Sequence, residues 1–463
     1  MLSLQNASGS LEDDGRREIA AGGNLDPQVK SRLLASMLAG RLVIVCGAGL
    51  SMAAPSSLPP AWRVAQDCFD FYQTNVDPNI DPAMRHNLEA LAQHFADLGT
   101  LQSVFIQALV PWGEFVKPPN AGHAAVADFL VTKAAAAALS ANYDMLIEQC
   151  AIGNGFDFQN ALDGDEATLR SHTQGPLLKF HGCASRDRPA TVWTASQLDV
   201  PPISHRIALS KTWMAANLRQ KDLLVVGFWS DWDYLNALLG TVLDGLAPMS
   251  VTLVDPSPIA ALEEKAPALW ALAHGEGVTF SHVQESGADV LDELRQGFSV
   301  NYLRGMLAAG QTAFEQSSGA PCDSAWLAVE AYDSETLYRL RRDAEGVPAG
   351  RPATRAKPDQ CEVLGAFHLL LRSSGAIQTP EGYLYAGRSV RVVNGAGAVL
   401  SQLRARFAEA PAIARSDVVI APGATDWAMP NNVVREGRPG DFMRPAPANN
   451  WYDLERGRLE LGL

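Results

Sequence analysis

The chain has 463 residues, 47% hydrophobic and 19% charged, which excludes a wholly disordered or collagen-like polypeptide and leaves room for two or three domains of about 150 residues. With 37 basic and 51 acidic residues the net charge is -14, which argues against a general phosphate-backbone binder. From Arg339 onward, 17 basic and 13 acidic residues give +4 and the preceding part carries -18, so an anionic partner is expected only at the C-terminal third.

Residues 1–26 are polar and glycine-containing and read as a mobile tail without a signal-peptide run. A body over residues 27–300 follows, opening on an amphipathic segment at Pro27–Leu38. Five apolar residues end at Cys46 and are stopped by Gly47, the pattern of a strand buried on both faces. Similar runs recur at Ala134–Leu139, Leu177–Phe180, Leu223–Val226 and Val251–Val254. Helical patterns lie between them, as at His86–Leu109 and Tyr234–Leu246. The alternation predicts an α/β fold with a Rossmann-like parallel sheet and helices on both faces.

The body is expected to end near residue 300, after a helix at Val290–Gly297. Residues 301–463 form a smaller C-terminal α+β region for assembly or partner contact. It comprises a helical stretch at Asn301–Leu340, an exposed Arg/Pro/Gly linker at Arg341–Pro358, a helix at Cys361–Arg372, and strands at Gly382–Ala386 and Ser389–Val393. A Pro/Asn-rich tail starts at Ala421. The six cysteines are scattered with no C-x-x-C pair, so neither a disulfide framework nor zinc is indicated. No apolar run reaches the ~18 residues of a membrane span, and a reducing cytoplasmic location is expected.

Chemistry gathers where these strands end. Gly47-Ala48-Gly49-Leu50-Ser51 follows the first strand, and its amides and hydroxyl suit a diphosphate, although an ordinary tight strand-to-helix turn has the same spelling. Asn394-Gly395-Ala396-Gly397 repeats the pattern and reads as such a turn. Asn142-Tyr143-Asp144 brings an amide and a carboxylate to the rim where open α/β sheets bind ligands, or caps the next helix. His181, before Gly182, arrives at the same rim as a proton-transfer candidate or a satisfied structural residue. Gly227 and Ser230 offer a second glycine turn with a hydroxyl, and Asp255 a carboxylate suited to ribose hydroxyls; a loop turn and an Asp-Pro strand stop are the alternatives.

Taken in order, Gly-Ala-Gly-x-Ser, Asn-x-Asp, His-Gly, Gly-x-x-Ser and the late polar strand end resemble the sirtuin NAD-binding domain over roughly residues 30–300. Ser57-Leu58-Pro59-Pro60-Ala61-Trp62 is similar to that family's Gly-Leu-Pro-x-Trp segment, and His123 precedes the second motif as in the family. The paired C-x-x-C motifs of the deacylases are missing, Ala141 stands where they place Gln, and there is no Phe-Gly-Glu segment. The chain therefore looks like the divergent branch without the zinc module, found in bacterial antiphage defence proteins.

That resemblance implies an NAD hydrolase, with NAD as substrate, that gives nicotinamide and ADP-ribose. Asn142, Asp144 and His181 would be catalytic: Asn142 at the ribose and attacking water, Asp144 at the carboxamide, His181 as base. Gly47, Ala48, Gly49, Ser51, Trp62, Gly227, Ser230 and Asp255 would bind the dinucleotide. A homo-oligomer, with a HerA-like ATPase or an Argonaute-like partner, is implied by the same analogy, and neither nucleic-acid binding by the catalytic domain nor a membrane is expected. An NAD-dependent protein deacylase and a non-catalytic NAD or ADP-ribose binding subunit stay open as alternatives.

Overall fold

The computed structural model describes residues 17–19, 25–228, 236, 240, 243, 246–347, 358–407, 413, 415–425 and 450–463. Two compact units emerge: Met1–Cys150 with Gln159–Leu291, and Ala151–Phe158 with Asp292–Leu463. Where a short helix at Val290–Gly297 is expected, the chain runs through one long helix, Gly287–Ser318.

The first unit is built on seven strands: β1 (Arg17–Ile19), β2 (Leu42–Cys46), β3 (Ala135–Ser140), β4 (Leu177–Leu178), β5 (Asp222–Val226), β6 (Ser250–Val254) and β7 (Thr279–Val283). Their order is β1-β7-β6-β5-β2-β3-β4 and every pairing is parallel. All five residues of β2, β5 and β6 are buried, as the unbroken apolar runs require. From β2 the chain winds outward through β3 and β4, then returns to β2's other side for β5, β6 and β7. This reversal makes the carboxyl end of β2 a topological switch point, where such sheets bind ligands. The α/β, Rossmann-like reading therefore holds, with a smaller mixed-sheet region after it.

Several local expectations change. Arg17–Ile19, inside the segment read as a tail, pairs with β7. β7 itself escaped notice because its alternating Thr-Phe-Ser-His-Val lacks an apolar run. His86–Leu109 is not one helix: α-helical Leu88–Asp97 stops at Gly99, whose φ of +67° leaves the helical region, and a π-helical Leu101–Leu109 follows. These helices, the helix Ala61–Asn75 and the turn Trp112–Phe115 bury Val64, Phe69, Leu91, Phe95, Phe105 and Trp112 in an apolar cluster with Tyr143 and Trp193. The Tyr234–Leu246 pattern falls mostly outside the described residues.

The second unit carries a five-stranded sheet in the order β12-β11-β10-β9-β8, from β8 (Ile377–Thr379), β9 (Gly382–Tyr385), β10 (Arg388–Val392), β11 (Val418–Ala421) and β12 (Trp451–Asp453). β10, β11 and β12 run parallel, while β8, β9 and β10 are antiparallel. The start of the supposed exposed linker is not exposed. Arg341 and Arg342 sit buried in the helix Ser334–Ala344 and pair with Glu345, and Arg391 pairs with Asp343 at 2.6 Å. Part of the positive charge of this region is thus internal. Among the described residues no helix is long and apolar enough to cross a membrane.

Candidate active site

The residues expected to carry chemistry leave the sheet at consecutive carboxyl ends. Gly47 follows β2, Asn142 and Asp144 follow β3, His181 lies just beyond β4, Gly227 follows β5 and Asp255 follows β6. A cleft with about 830 Å³ of open space is lined, among polar and turn residues, by Gly47, Ala48, Ser51, Asn142, Asp144 and His181. Leu58, Val64, Leu88, Phe115, Tyr143, Trp193 and Phe228 give the lining its apolar and aromatic share. Among the described residues, no lysine or arginine lines the cleft.

The glycine turn is explained first by packing. Gly47 N–H donates to the Val226 carbonyl and Gly49 N–H to that of Gly227, each at 3.0 Å. A Cβ on Gly47 would lie 2.5 Å from the Gly227 oxygen, and one on Gly49 2.7 Å from the Gly227 Cα. Gly227 adopts φ +57° in this contact. The turn expected to cradle a diphosphate therefore spends the amides of Gly47 and Gly49 on the carboxyl end of β5, while Gly47 and Ala48 line the cleft.

Ser51 is 2% exposed and is the hub of a buried network. His123 Nδ1 accepts from the Asn120 backbone N–H at 3.1 Å, so in the neutral ring the proton sits on Nε2. Burial pushes the His123 pKa down to about 4, which keeps the ring neutral near pH 7. Nε2–H then donates to Ser51 Oγ at 3.1 Å, and Ser51 donates its own proton to Asp144 Oδ2 at 2.9 Å. This polarity rules out a Ser-His-Asp nucleophile, because the imidazole cannot accept the serine proton. It also engages the hydroxyl that the sequence suggested for a diphosphate.

Asn142 completes the hub. Its Nδ2 donates to the Gly47 carbonyl at 3.0 Å and to Ser51 Oγ at 3.2 Å, leaving Oδ1, an acceptor, as the amide atom for the cleft. Asp144 Oδ1 accepts from Leu146 N–H, the capping geometry anticipated for this motif. The main-chain carbonyl of Asp144 accepts from Lys179, which also forms a salt bridge to Glu148 at 2.8 Å.

His181 Nδ1 lies 3.1 Å from the Ala141 carbonyl and donates to it, so Nε2 bears the lone pair. The ring is stacked on Tyr143, with centroids 4.9 Å apart and planes 17° apart, and Tyr143 is stacked on Trp193 at 4.6 Å. Burial lowers the His181 pKa to about 3, the Ala141 hydrogen bond opposing and Arg206 reinforcing that shift. Arg206 is held by the Ala190 carbonyl at 2.9 Å.

Four expected residues, Gly49, Trp62, Gly227 and Asp255, lie outside the cleft lining. Trp62 is 53% exposed, with its ring against His86. Asp255 is buried two strands from β2 and accepts from Ser257 N–H. Gly227 stands behind the glycine turn. Ser230 lies outside the described residues. Sequence reasoning missed Trp193, Phe115 and Phe228, which belong to no motif with a recognisable spacing. It also missed the Lys179–Glu148 pair, whose signal was a lysine inside the apolar run Leu177–Phe180.

No protein-family model matches the chain, and no curated protein matches it. Among solved structures the chain is similar to a mutant Sir2 homologue in complex with 2′-O-acetyl ADP ribose, at 16% identity and a TM-score of 0.34, over 58% of this chain and 95% of that one. It is similar to a Sir2 homologue–NAD complex at 17% identity and a TM-score of 0.34, over 60% of this chain and 96% of that one. A third structure, titled for the mechanism and regulation of Sir2 enzymes, has 13% identity and a TM-score of 0.32, over 58% of this chain and 96% of that one.

Proposed function

We propose that the chain is an NAD hydrolase that cleaves the nicotinamide–ribose bond, and that it depletes NAD as an effector in bacterial antiphage defence. The observation that carries the reaction is the convergence of the Asn142 acceptor oxygen, Asp144 and His181 on one cleft. Aromatic side chains and a buried carboxylate suit a cationic pyridinium ring there, with the diphosphate outside near Ala48.

Breaking the glycosidic bond leaves an oxocarbenium-like carbon, and its electron pair departs with neutral nicotinamide, so no acid is needed at the leaving group. Asn142 Oδ1 would accept from the attacking water or a ribose hydroxyl and fix its direction. His181, too weak a base for early proton removal, would take the proton once attack on the carbon has acidified the water. The defence role, oligomeric assembly and a HerA-like or Argonaute-like partner follow from the sequence resemblance.

The test is nicotinamide release from NAD by the full chain, alone and with neighbouring gene products. Asn142→Ala and His181→Ala are expected to abolish it, and retained activity in both would remove this site. The apolar lining of Leu58, Val64, Leu88 and Phe115 favours one second reading, a deacylase with room for an acyl chain. That reading requires an acylated peptide before nicotinamide appears. Binding without cleavage under every condition would leave the non-catalytic subunit.

A further inference from the structure

We propose that His123, although it does not line the cleft, is a positioning residue of this site, acting through Ser51 on Asn142 and Asp144. The inference rests on the hydrolase reading for its kinetic consequence and on hydrogen-bond counting for its structural one.

A serine hydroxyl has one proton and two acceptor positions. Around Ser51 there are three partners: His123 Nε2, Asn142 Nδ2 and Asp144 Oδ2. With His123 donating, one acceptor position is filled, the proton has Asp144 as its destination, and the last acceptor position belongs to the Asn142 amide. Every partner thereby has one role. Without the imidazole donor, the hydroxyl gains an empty position and a competing arrangement opens, in which it turns to Asn142 Oδ1 and abandons Asp144. The imidazole therefore holds the acceptor oxygen of Asn142 toward the cleft.

The ring is itself fixed. Asn120 Oδ1 accepts from His123 N–H at 3.1 Å while His123 Nδ1 accepts from Asn120 N–H, a reciprocal cap on the helix Ala121–Val131. Asn120 Nδ2 also donates to the Leu50 carbonyl at 2.8 Å, which ties that cap to the segment bearing Ser51. The ring is 1% exposed, so water cannot replace it. Protonation would set an Nδ1–H against the Asn120 N–H, and burial disfavours that form.

The test compares His123→Phe, which removes the donor, with His123→Gln, which retains one. Nicotinamide release, ADP-ribose binding and the melting midpoint are measured on the full chain. The Phe variant is expected to lose about tenfold to a hundredfold in kcat while ADP-ribose affinity stays within about twofold, and the Gln variant to recover most of the rate. Equal rates in all three proteins, or equal losses in both variants that track the melting midpoint, would overturn the proposal. A turnover-independent readout separates it from the hydrolase reading. Side-chain nitrogen resonances should show the His123 proton on Nε2 from pH 8 to 5 and a slowly exchanging Asn142 amide that the Phe variant alone loses. A rapidly exchanging Asn142 amide in the wild type would sink the positioning role even if NAD is cleaved, and a slow one would sustain it even if NAD is not.

Discussion

Lys179 and Glu148 face each other at 2.8 Å with their side chains 1% and 0% exposed, directly behind the turn that carries Asn142 and Asp144. Lys179 spans two strand ends, since its ammonium also meets the Asp144 carbonyl, and Glu148 additionally accepts from Asn160 at 2.6 Å. Removing one member of such a pair leaves the other charge buried and uncompensated. Lys179→Met is therefore expected to cost about 3–5 kcal/mol in urea unfolding, and Lys179→Met with Glu148→Leu distinctly less. Equal losses in both proteins would show that the ion pair does not govern the turn.

Gly49 and Gly227 should tolerate no side chain. The Cβ of alanine at either position would meet backbone at 2.6–2.7 Å, and Gly227 has the added strain of φ +57°. Each alanine variant is expected to lose roughly 1–3 kcal/mol or more, as overpacking does. Gly113, with nothing within 4 Å of its built Cβ, is the control, and Gly113→Ala should melt with the wild type.

Acid should destabilise the first unit before its carboxylates titrate. Burial lowers His123 to about 4 and His181 to about 3 from an ordinary 6.5. The unfolded chain therefore takes up protons below about pH 6.5 while the folded chain does not. Stability is fully present above that value and is lost as pH falls toward 4 and then 3, at about 1.4 kcal/mol per pH unit for each ring. Urea midpoints measured from pH 7 to 4 should fall, and His123→Gln should flatten the decline.

Tyr143 offers a separation of packing from hydrogen bonding. Its hydroxyl donates to the Val192 carbonyl, and its ring supports His181. Tyr143→Phe keeps the ring and is expected to cost about 1 kcal/mol of stability with little change in turnover. Tyr143→Ala frees His181 and should reduce nicotinamide release at least about tenfold. Comparable turnover in both variants would discount the stacking.

Much of the site was legible because buried parallel strands announce themselves as apolar runs and deliver their last residues to one rim. Asn142, Asp144 and His181, expected on that rim, line one cleft. What spacing could not reveal was which donors remain available. Gly47-Ala48-Gly49 and Gly395-Ala396-Gly397 use the same device: in each turn, the two glycine N–H groups donate to carbonyls at the end of the neighbouring parallel strand, Val226 and Gly227 in one, Pro422 and Gly423 in the other. The glycine spelling therefore reports strand-end packing in both places, and Asn142 beside Ser51 is what distinguishes the first. The buried arginines at 341 and 342 were misread as a solvated linker because composition does not show Glu345 within reach.

The interlocked backbones of Gly47, Gly49 and Gly227 also assign the mechanical roles of the cleft. With no gap to give up, the floor beneath an incoming molecule is incompressible. A molecule at the Gly47 edge of the cleft therefore meets a contour set by backbone atoms, so any change of guest has to be matched by side chains elsewhere in the lining, such as Leu58 and Phe115.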